Sequence, residues 1–399
     1  MNIINRKQIY TALLLLPYFF AVTGMLVLDS GDKKMIPLFL ISIIVSILVL
    51  KKETILNNIQ SPFVWLIGIS CIYIVFSYYY HGASSRELRS LIATTLFLIF
   101  FPYKLLTKQL TRWIVLVGGL FVCLNSLYFN VYMDVARDAG YMNPIPYSTA
   151  CALLAVISFS LLLESTRKKE AIITLSAFLF YLPPIVLSET RGIWLAFSLS
   201  LVLLSIIKLK MTRPSNKSIL LITAAVIAIL FSGFMTFKDN ISHRYEKTIY
   251  EIEKIKNNNY NTSIGLRLKM WSLAPDLFEK KPILGHGQEH REILKGKLKE
   301  KEISKRLFHF ASSHYHNQYI DKMVKSGSIG LILLMSILIY PLITLRNLKP
   351  FEMYIVIGST SLFFIAGLTD VPFNHAQTLT LYLLFLVPIC SRIQRDSND

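Results

Sequence analysis

The chain has 399 residues, of which 53% are hydrophobic, and it carries a formal net charge of +18. Such an apolar composition over this length excludes an ordinary soluble enzyme, and recurring apolar runs of about 18 residues or more favour membrane-spanning helices. The basic excess in such a chain is typical of membrane topology and of contact with anionic membrane lipids, so no nucleic-acid partner is expected.

Twelve apolar segments follow one another along the chain and predict an all-α integral membrane protein with about twelve transmembrane helices. Residues 1–236 are predicted to hold transmembrane helices 1–9, residues 237–326 one large outer loop, and residues 327–399 transmembrane helices 10–12 and a tail. The segments cover residues 10–29, 35–50, 62–80, 89–107, 113–133, 145–164, 170–188, 191–208, 218–236, 327–345, 352–369 and 376–392.

The basic residues of the connecting loops predict which way the chain crosses the membrane. The loops on one side, together with the two ends of the chain, carry 18 lysines and arginines, whereas the short loops on the other side carry six. Basic loops stay in the cytoplasm. Both termini are therefore predicted to be cytoplasmic, and the 237–326 loop is predicted to lie on the opposite, outer side.

The long outer loop contains stretches with helical periodicity. "GLRLKMWSLAPDLFEK" at 265–280 predicts an amphipathic helix, and "ILKGKLKEKEISKRLFHF" at 293–310 predicts a second, highly charged helix. Proline and glycines in "KPILGHGQEH", at 281–290, break the pattern between the two. A loop of this length is rarely a passive connection, so we expect it to have a functional role.

Two arginines on the outer side are candidates for binding an anion at the membrane boundary. Arg191 stands in "SETRGIWLA" and Arg267 in "SIGLRLKMW". A guanidinium suits this task because its fork binds two phosphate oxygens and never loses its proton. The alternatives are an interfacial arginine that reaches water, for Arg191, and a solvated charge on a helix face, for Arg267.

Three further basic residues are secondary candidates for substrate binding. Arg86 and Arg89 lie in "HGASSRELRS", on the same outer side. Lys269 follows Arg267 by two residues, so it points to another part of the helix surface.

A histidine pair stands just before the chain re-enters an apolar run, in "SSHYHNQYIDKMVKSGSIG". His314 and His316 are suited to proton transfer because imidazole titrates near neutral pH, although both could be ordinary interfacial histidines. A zinc site is not expected, because no carboxylate or cysteine cluster lies close by in sequence. Asn317 follows the pair. Asp370, in "AGLTDVPFNH", ends an apolar run, where a carboxylate needs a partner.

These motifs, in this order, resemble the bacterial O-antigen ligase family, whose superfamily also holds O-antigen polymerases and protein O-oligosaccharyltransferases. The resemblance rests on the twelve-span layout and on "ETRGIWLA", "GLRLKMW", "PILGHG", "HYHNQYIDKMVKSGSIGL" and "GLTDVPF" between about 188 and 375. It implies a GT-C-like glycosyltransferase of the bacterial inner membrane, with the active site and the 237–326 loop in the periplasm.

The resemblance also implies a reaction. O-antigen polysaccharide passes from undecaprenyl diphosphate to a sugar of lipid A–core, in lipopolysaccharide biosynthesis, with inversion and with no metal or cofactor. On the matching positions His316 is the general base and Arg191 and Arg267 stabilise the diphosphate, although the choice between His314 and His316 stays open. The residues expected to bind substrate are His314, Asn317, Asp370, Arg86, Arg89 and Lys269.

Three alternatives stay open. An O-antigen polymerase would use the same donor with a second lipid-linked glycan as acceptor, and a protein O-oligosaccharyltransferase usually has a longer carboxy-terminal region. A lipid-linked oligosaccharide flippase or other transporter predicts charges in the middle of several spans, whereas the charges of this chain gather at one face.

Overall fold

The computed structural model describes residues 6–50, 52–212 and 238–391, and no strand occurs among these residues. Their secondary structure consists of α-helices with a few short 3₁₀ and π segments. In chain order the α-helices are α1 (Arg6–Val22), α2 (Gly24–Val27), α3 (Gly31–Val49), α4 (Lys52–Ile59), α5 (Pro62–Tyr80), α6 (Ser85–Phe100), α7 (Lys108–Ser126), α8 (Pro144–Leu163), α9 (Lys168–Leu187), α10 (Arg191–Thr212), α11 (Lys238–Lys256), α12 (Ser263–Lys280), α13 (His290–Lys299), α14 (Lys305–Ala311), α15 (Gln318–Ile343), α16 (Pro350–Ala366) and α17 (Ala376–Ser391).

Seven helical segments of the described chain are long and apolar enough to cross a membrane, and α16 and α17 are apolar but shorter. Each predicted span within the described residues overlaps a helix, whereas the predicted span at 218–236 lies outside them. The helical membrane class is therefore confirmed, while twelve spans and their sidedness remain predictions. The seven segments are Arg6–Val27, Pro62–Tyr80, Lys108–Tyr132, Pro144–Leu163, Lys168–Leu187, Arg191–Thr212 and Gln318–Asn347.

Helix α8 lies at the centre of the bundle. It is apolar on every side, which is typical of a helix without a solvent or lipid face, and it packs against α7, α9, α10, α16 and α17. Its buried Ser158 and Ser160 donate hydrogen bonds of 2.8 Å to carbonyls one turn earlier in the same helix. Large apolar side chains such as Leu48 and Ile72 stay exposed on the outside of the bundle, where lipid would cover them.

The predicted outer loop holds four of the described helices, α11 to α14. The amphipathic helix predicted at 265–280 is observed as α12. The prediction of one helix over 293–310 is wrong, because α13 ends at Lys299 and α14 begins at Lys305. Between them the backbone of Lys301 is left-handed, with φ of 62°, and Ser304 caps α14 by accepting a hydrogen bond from the Leu307 amide.

Helix α15 begins at Gln318, earlier than the predicted start at residue 327. The Asn317 side chain caps it by accepting hydrogen bonds from the amides of Tyr319 and Ile320, at 3.0 and 3.1 Å. The polar first turns are kept helical by an ion pair of 2.8 Å between Asp321 and Lys325. Apolar periodicity alone could not place this start, because the capping residue and the ion pair are polar.

Two glycines join the loop to α15. Gly285 and Gly327 have φ of 70° and 61°, a conformation that glycine adopts without strain. A Cβ atom on Gly327 would lie 2.2 Å from the carbonyl oxygen of Ile283, and one on Gly285 would lie 2.5 Å from the nitrogen of Gly327. Gly327 marks a kink within α15. The helix break predicted at 281–290 is therefore a point where the loop backbone packs directly on this kink.

His290 in this loop predicts a pH-dependent stability. Burial first, and then the charge of Lys325, lower the pKa of His290 from 6.5 to about 4. Because the folded protein favours neutral imidazole, the stabilisation is complete above about pH 6.5 and is lost as the pH falls towards 4. The pKa of His286 is lowered in the same direction.

We expect the Tm of the purified protein to fall as the pH is lowered from about 7.5 to about 5. By pH 4 the free energy of unfolding should have decreased by a total on the order of 3 kcal/mol. His290→Gln should have a lower Tm at neutral pH and a flatter dependence on acid. A wild-type Tm that does not change over this range would contradict the role of His290.

Candidate active site

Asp370, in the loop between α16 and α17, stands at the centre of three histidines. Its Oδ1 lies 3.5 Å from Nδ1 of His316 and 3.9 Å from Nε2 of His314, and its Oδ2 lies 3.2 Å from Nε2 of His375. Burial alone would raise the pKa of Asp370, but the contacts with His316 and His375 outweigh burial and lower it well below its usual range. The carboxylate therefore stays ionised and can orient the imidazoles around it.

His316 is held in an uncommon conformation. Its φ of 48° is left-handed, which costs a residue with a Cβ atom on the order of 1 kcal/mol. Because the Asp370 carboxylate faces Nδ1, we assign the ring proton to Nδ1, which leaves the lone pair of Nε2 free to accept a proton. A separation of 3.5 Å is at the outer limit for a hydrogen bond, and such contacts often shorten when substrate binds.

His314 lies beside His316, with ring centroids 4.1 Å apart. Burial first, and then the neighbouring His316, lower the pKa of His314 to about 3. Its Nδ1 lies 2.9 Å from the hydroxyl of Ser313. At neutral pH His314 is therefore an uncharged hydrogen-bonding group.

A buried polar network holds the histidine segment against the Asp370 loop. Asp321 accepts a hydrogen bond from the Tyr315 amide at 3.1 Å and another from the Asn374 side chain at 2.6 Å. Gln318 donates from its side chain to Asn374 at 2.9 Å and from its backbone to the carbonyl of Gly367 at 2.7 Å. These bonds join two segments that are far apart in sequence, and so they bring the histidines to Asp370.

Arg267, on α12, lies near His316 and Asp370. One turn later on this helix, the indole Nε1 of Trp271 donates a hydrogen bond of 2.9 Å to the carbonyl of Tyr315, between the two histidines. Arg267 is half-buried and has no hydrogen bond or ion pair with the described residues. Burial lowers the pKa of Arg267 and Asp370 opposes this change. A partly desolvated guanidinium without a partner is suited to bind an anion.

Arg191 is the first residue of α10. A Cβ atom on the next residue, Gly192, would lie 2.1 Å from Oγ1 of Thr369, so the glycine allows α10 to approach the Asp370 loop. Unlike Arg267, Arg191 is already paired: its guanidinium lies 3.0 Å from Glu251 and donates to the Thr248 hydroxyl at 2.6 Å. Both partners belong to α11, so this helix offsets the charge of Arg191.

Arg191, Arg267, His316 and Asp370 line one cavity of about 350 Å³, which we call the basic cavity. Its two lining carboxylates are Asp370 and Glu189, and Glu189 is paired with Arg244 at 2.8 Å. The excess of positive charge favours an anionic ligand. The six cationic side chains of the lining are Arg137, Arg191, Arg244, Lys247, Arg267 and Arg306.

The structure does not bring all of the predicted residues to this cavity. Asn317 caps α15, and its amide nitrogen donates to the carbonyl of Leu368 at 3.2 Å, so both ends of the side chain are occupied. Lys269 is exposed, with its ammonium 4.6 Å from the ring centroid of Tyr260. Arg86 and Arg89 both line a separate small cavity, and Arg86 also lines a second large cavity, which His316 borders as well.

Several residues of the site escaped the sequence analysis. His375 follows Asp370 within the same quoted stretch, "AGLTDVPFNH", and this proximity was a usable signal. Arg137, Arg244 and Lys247 gave no such signal, because only the fold brings their loop and helix to the cavity. Arg137 also has a left-handed backbone, with φ of 66°.

The cluster has a donor set that could hold a metal ion, since ligand atoms of His314, His316 and Asp370 lie within 4.8 Å of one another. The sequence argument against zinc considered only residues that lie close by in sequence. Folding adds Asp370, which comes to the histidines from a distant part of the chain. Two histidines and one carboxylate are a common set of zinc ligands. A chelator experiment therefore tests whether the activity of the protein depends on a metal at this cluster.

Comparisons with known proteins bear on the same region. Residues 176–335 match a family model described as O-Antigen ligase. The chain is 31% identical over 215 residues to an uncharacterized protein of Haemophilus influenzae, with 51% of this chain and 53% of that protein covered. It is 27% identical over 218 residues to an O-antigen ligase of Escherichia coli, with 54% and 50% covered.

The chain thus spans about half the length of the curated relatives it matches. The matched residues include Arg191, Arg267, His314 and His316, whereas Asp370 lies beyond them. Residues 176–335 of this chain are therefore similar to the O-antigen ligase family, the family that its sequence motifs also resemble.

Proposed function

We propose that this protein is an O-antigen ligase, which transfers a glycan from undecaprenyl diphosphate to a sugar hydroxyl of lipid A–core at the periplasmic face of the bacterial inner membrane. The observation that carries the proposal is the guanidinium of Arg267, which has no hydrogen bond or ion pair with the described residues and lines the same cavity as His316 and Asp370. An anion-binding group and an oriented base lining one cavity are what transfer from a sugar diphosphate requires.

His316 and the two arginines have complementary tasks in this reaction. Nε2 of His316 accepts the proton of the acceptor hydroxyl, while the hydroxyl oxygen forms a bond to the anomeric carbon of the donor. The bond from that carbon to the diphosphate oxygen breaks, and its electron pair leaves with the diphosphate. Asp370 stabilises the imidazolium that results, and Arg267 and Arg191 stabilise the negative charge of the leaving group. A single displacement of this kind inverts the anomeric centre.

Arg191 must divide its hydrogen bonds between Glu251 and the diphosphate, or else leave Glu251. Glu251 is buried and also accepts a hydrogen bond of 2.8 Å from the Ile264 amide, so it keeps a partner when Arg191 moves. Arg267 has no such competitor among the described residues. We therefore assign the first contact with the diphosphate to Arg267.

Purified protein in detergent is expected to transfer glycan from undecaprenyl diphosphate to lipid A–core, without a sealed vesicle. Mass spectrometry of the acceptor measures the product. The polymerase alternative predicts elongation of a lipid-linked glycan with no product on lipid A–core. A transporter would give neither product in detergent, so the assay separates all three functions.

Turnover is expected to survive excess EDTA, because Arg191 and Arg267 are proposed to take the role that a cation has in other diphosphate chemistry. The same transfer assay with and without chelator measures this. Activity that disappears with EDTA and returns with Mg²⁺, Mn²⁺ or Zn²⁺ would show that the His314, His316 and Asp370 cluster works with a bound metal.

A further inference from the structure

His316 and Asp370 also line a second cavity of about 360 Å³. It shares Asn143, Ile145, His316 and Asp370 with the basic cavity, and the rest of its lining comes from other parts of the chain. These parts include the turn between α2 and α3, the segment before α8, and the first turn of α17. His316 and Asp370 thus border two spaces, each large enough for a sugar ring.

The two cavities differ in charge. The basic cavity has six cationic side chains and two carboxylates. The second cavity has three carboxylates, from Asp29, Asp32 and Asp370, and only two cations, from Lys33 and Arg86. One of these cations is partly neutralised, since Arg86 lies 4.0 Å from Asp32. A diphosphate is therefore favoured in the basic cavity and disfavoured in the second.

The polar groups of the second cavity fit an uncharged ligand that is rich in hydroxyl groups. Gln377 is half-buried, and its side chain has no hydrogen-bond partner among the described residues. Carboxylate oxygens of Asp29 and Asp32 accept hydrogen bonds from hydroxyls, and the Gln377 amide can both donate and accept. Tyr141, which is 71% exposed, offers an aromatic face at the edge of the same cavity.

We propose that the second cavity binds the acceptor sugar, as an uncharged pyranose whose attacking hydroxyl points to His316. The inference rests on the proposed function, and it adds the location and chemistry of the acceptor subsite. In an inverting displacement the attacking and leaving oxygens are on opposite sides of the anomeric carbon. A donor diphosphate in the basic cavity and an acceptor in the second cavity would approach the anomeric carbon from two different spaces, both bordered by His316.

The experiment measures the binding of two probes to purified protein in detergent. The probes are the oligosaccharide released from lipopolysaccharide core by mild acid and inorganic pyrophosphate. Gln377→Ala and the isosteric Asp29→Asn are expected to weaken oligosaccharide binding about tenfold each, the effect of about one lost hydrogen bond, and to leave pyrophosphate binding unchanged. Lys247→Ala, on the basic cavity, is the matched control and should have the reverse pattern.

Each outcome bears on the inference. The inference is supported if the second-cavity variants lose affinity for the oligosaccharide alone and Lys247→Ala loses affinity for pyrophosphate alone. Asp29→Asn keeps the test valid if Gln377→Ala does not fold. Oligosaccharide affinity that is unchanged in both variants, or a wild-type protein that does not bind the oligosaccharide, overturns it. A wild-type protein that binds the oligosaccharide through these residues but never transfers a glycan would remove the proposed function and keep the sugar-binding cavity.

Discussion

His316→Ala is expected to lower glycan transfer about 10²–10⁴-fold, the usual contribution of a positioned general base. Donor binding should change little, because the basic cavity keeps Arg191 and Arg267 when the imidazole is removed. The measurement is the rate of transfer at saturating donor and acceptor, together with the donor Kd. His314→Ala should have a milder effect, since its Nε2 is farther from the Asp370 carboxylate.

A matched control for this variant is His309→Ala. His309 is an exposed histidine of α14 that lines neither cavity. It should retain normal transfer, which would show that loss of a loop histidine is not harmful in itself. Normal transfer by His316→Ala would mean that His316 is not the base, and a larger loss in His314→Ala would move that role to its neighbour.

The same variant separates a ligase from a polymerase in cells. A deletion strain complemented with His316→Ala is examined by silver-stained gel of its lipopolysaccharide. A ligase defect leaves bare core, because the finished polysaccharide stays on undecaprenyl diphosphate. A polymerase defect leaves core that carries a single repeat unit, and this result would exclude the ligase.

Arg267→Ala is expected to almost abolish transfer and to weaken donor binding strongly, because it removes the one cavity arginine proposed to meet the diphosphate first. Removing a partner of a buried hydrogen-bonded charge pair costs about 2–5 kcal/mol, which corresponds to roughly 30- to 4000-fold. Arg267→Lys should rescue poorly, since a point charge cannot reproduce the bidentate fork. Arg191→Ala should also nearly abolish transfer, with a smaller effect on donor affinity because Glu251 already competes for Arg191.

Lys269→Ala is the matched control on the same helix. Lys269 is exposed and lies outside both cavities, so its loss should leave transfer near the wild-type rate. Membrane levels of all variants are measured by immunoblot, so that failed insertion is not mistaken for lost chemistry. Near-normal activity of both Arg191→Ala and Arg267→Ala would return these arginines to the role of interfacial and surface charges.

Sequence reasoning was most successful where the pattern is local. Long apolar runs predicted the helices, and the glycines of "KPILGHGQEH" predicted the break that packs on α15. Errors occurred at polar helix ends. Because Asn317 caps α15, the helix begins before the predicted residue 327. The left-handed backbone of Lys301 separates two helices where one was predicted at 293–310.

The candidate site shows the same division. Arg191, Arg267, His316 and Asp370 could be selected as single residues, because each is a costly polar group near a predicted membrane boundary. Their proximity in the fold could not be predicted from their spacing in the sequence. It depends on the hydrogen-bond network around Asp321 and on the hydrogen bond between Trp271 and Tyr315. The sequence could not place a carboxylate beside the histidines, because Asp370 is their neighbour in space and not in sequence.

The central position of α8 has a consequence for how the protein is made. Its neighbours include α16 and α17, which are synthesised after α8 because they follow it in the chain. Until they arrive, the flank of α8 that α16 and α17 will cover must face lipid or an insertion chaperone. Asp370 lies between α16 and α17, so the candidate site stays incomplete in a nascent chain until this loop has been synthesised.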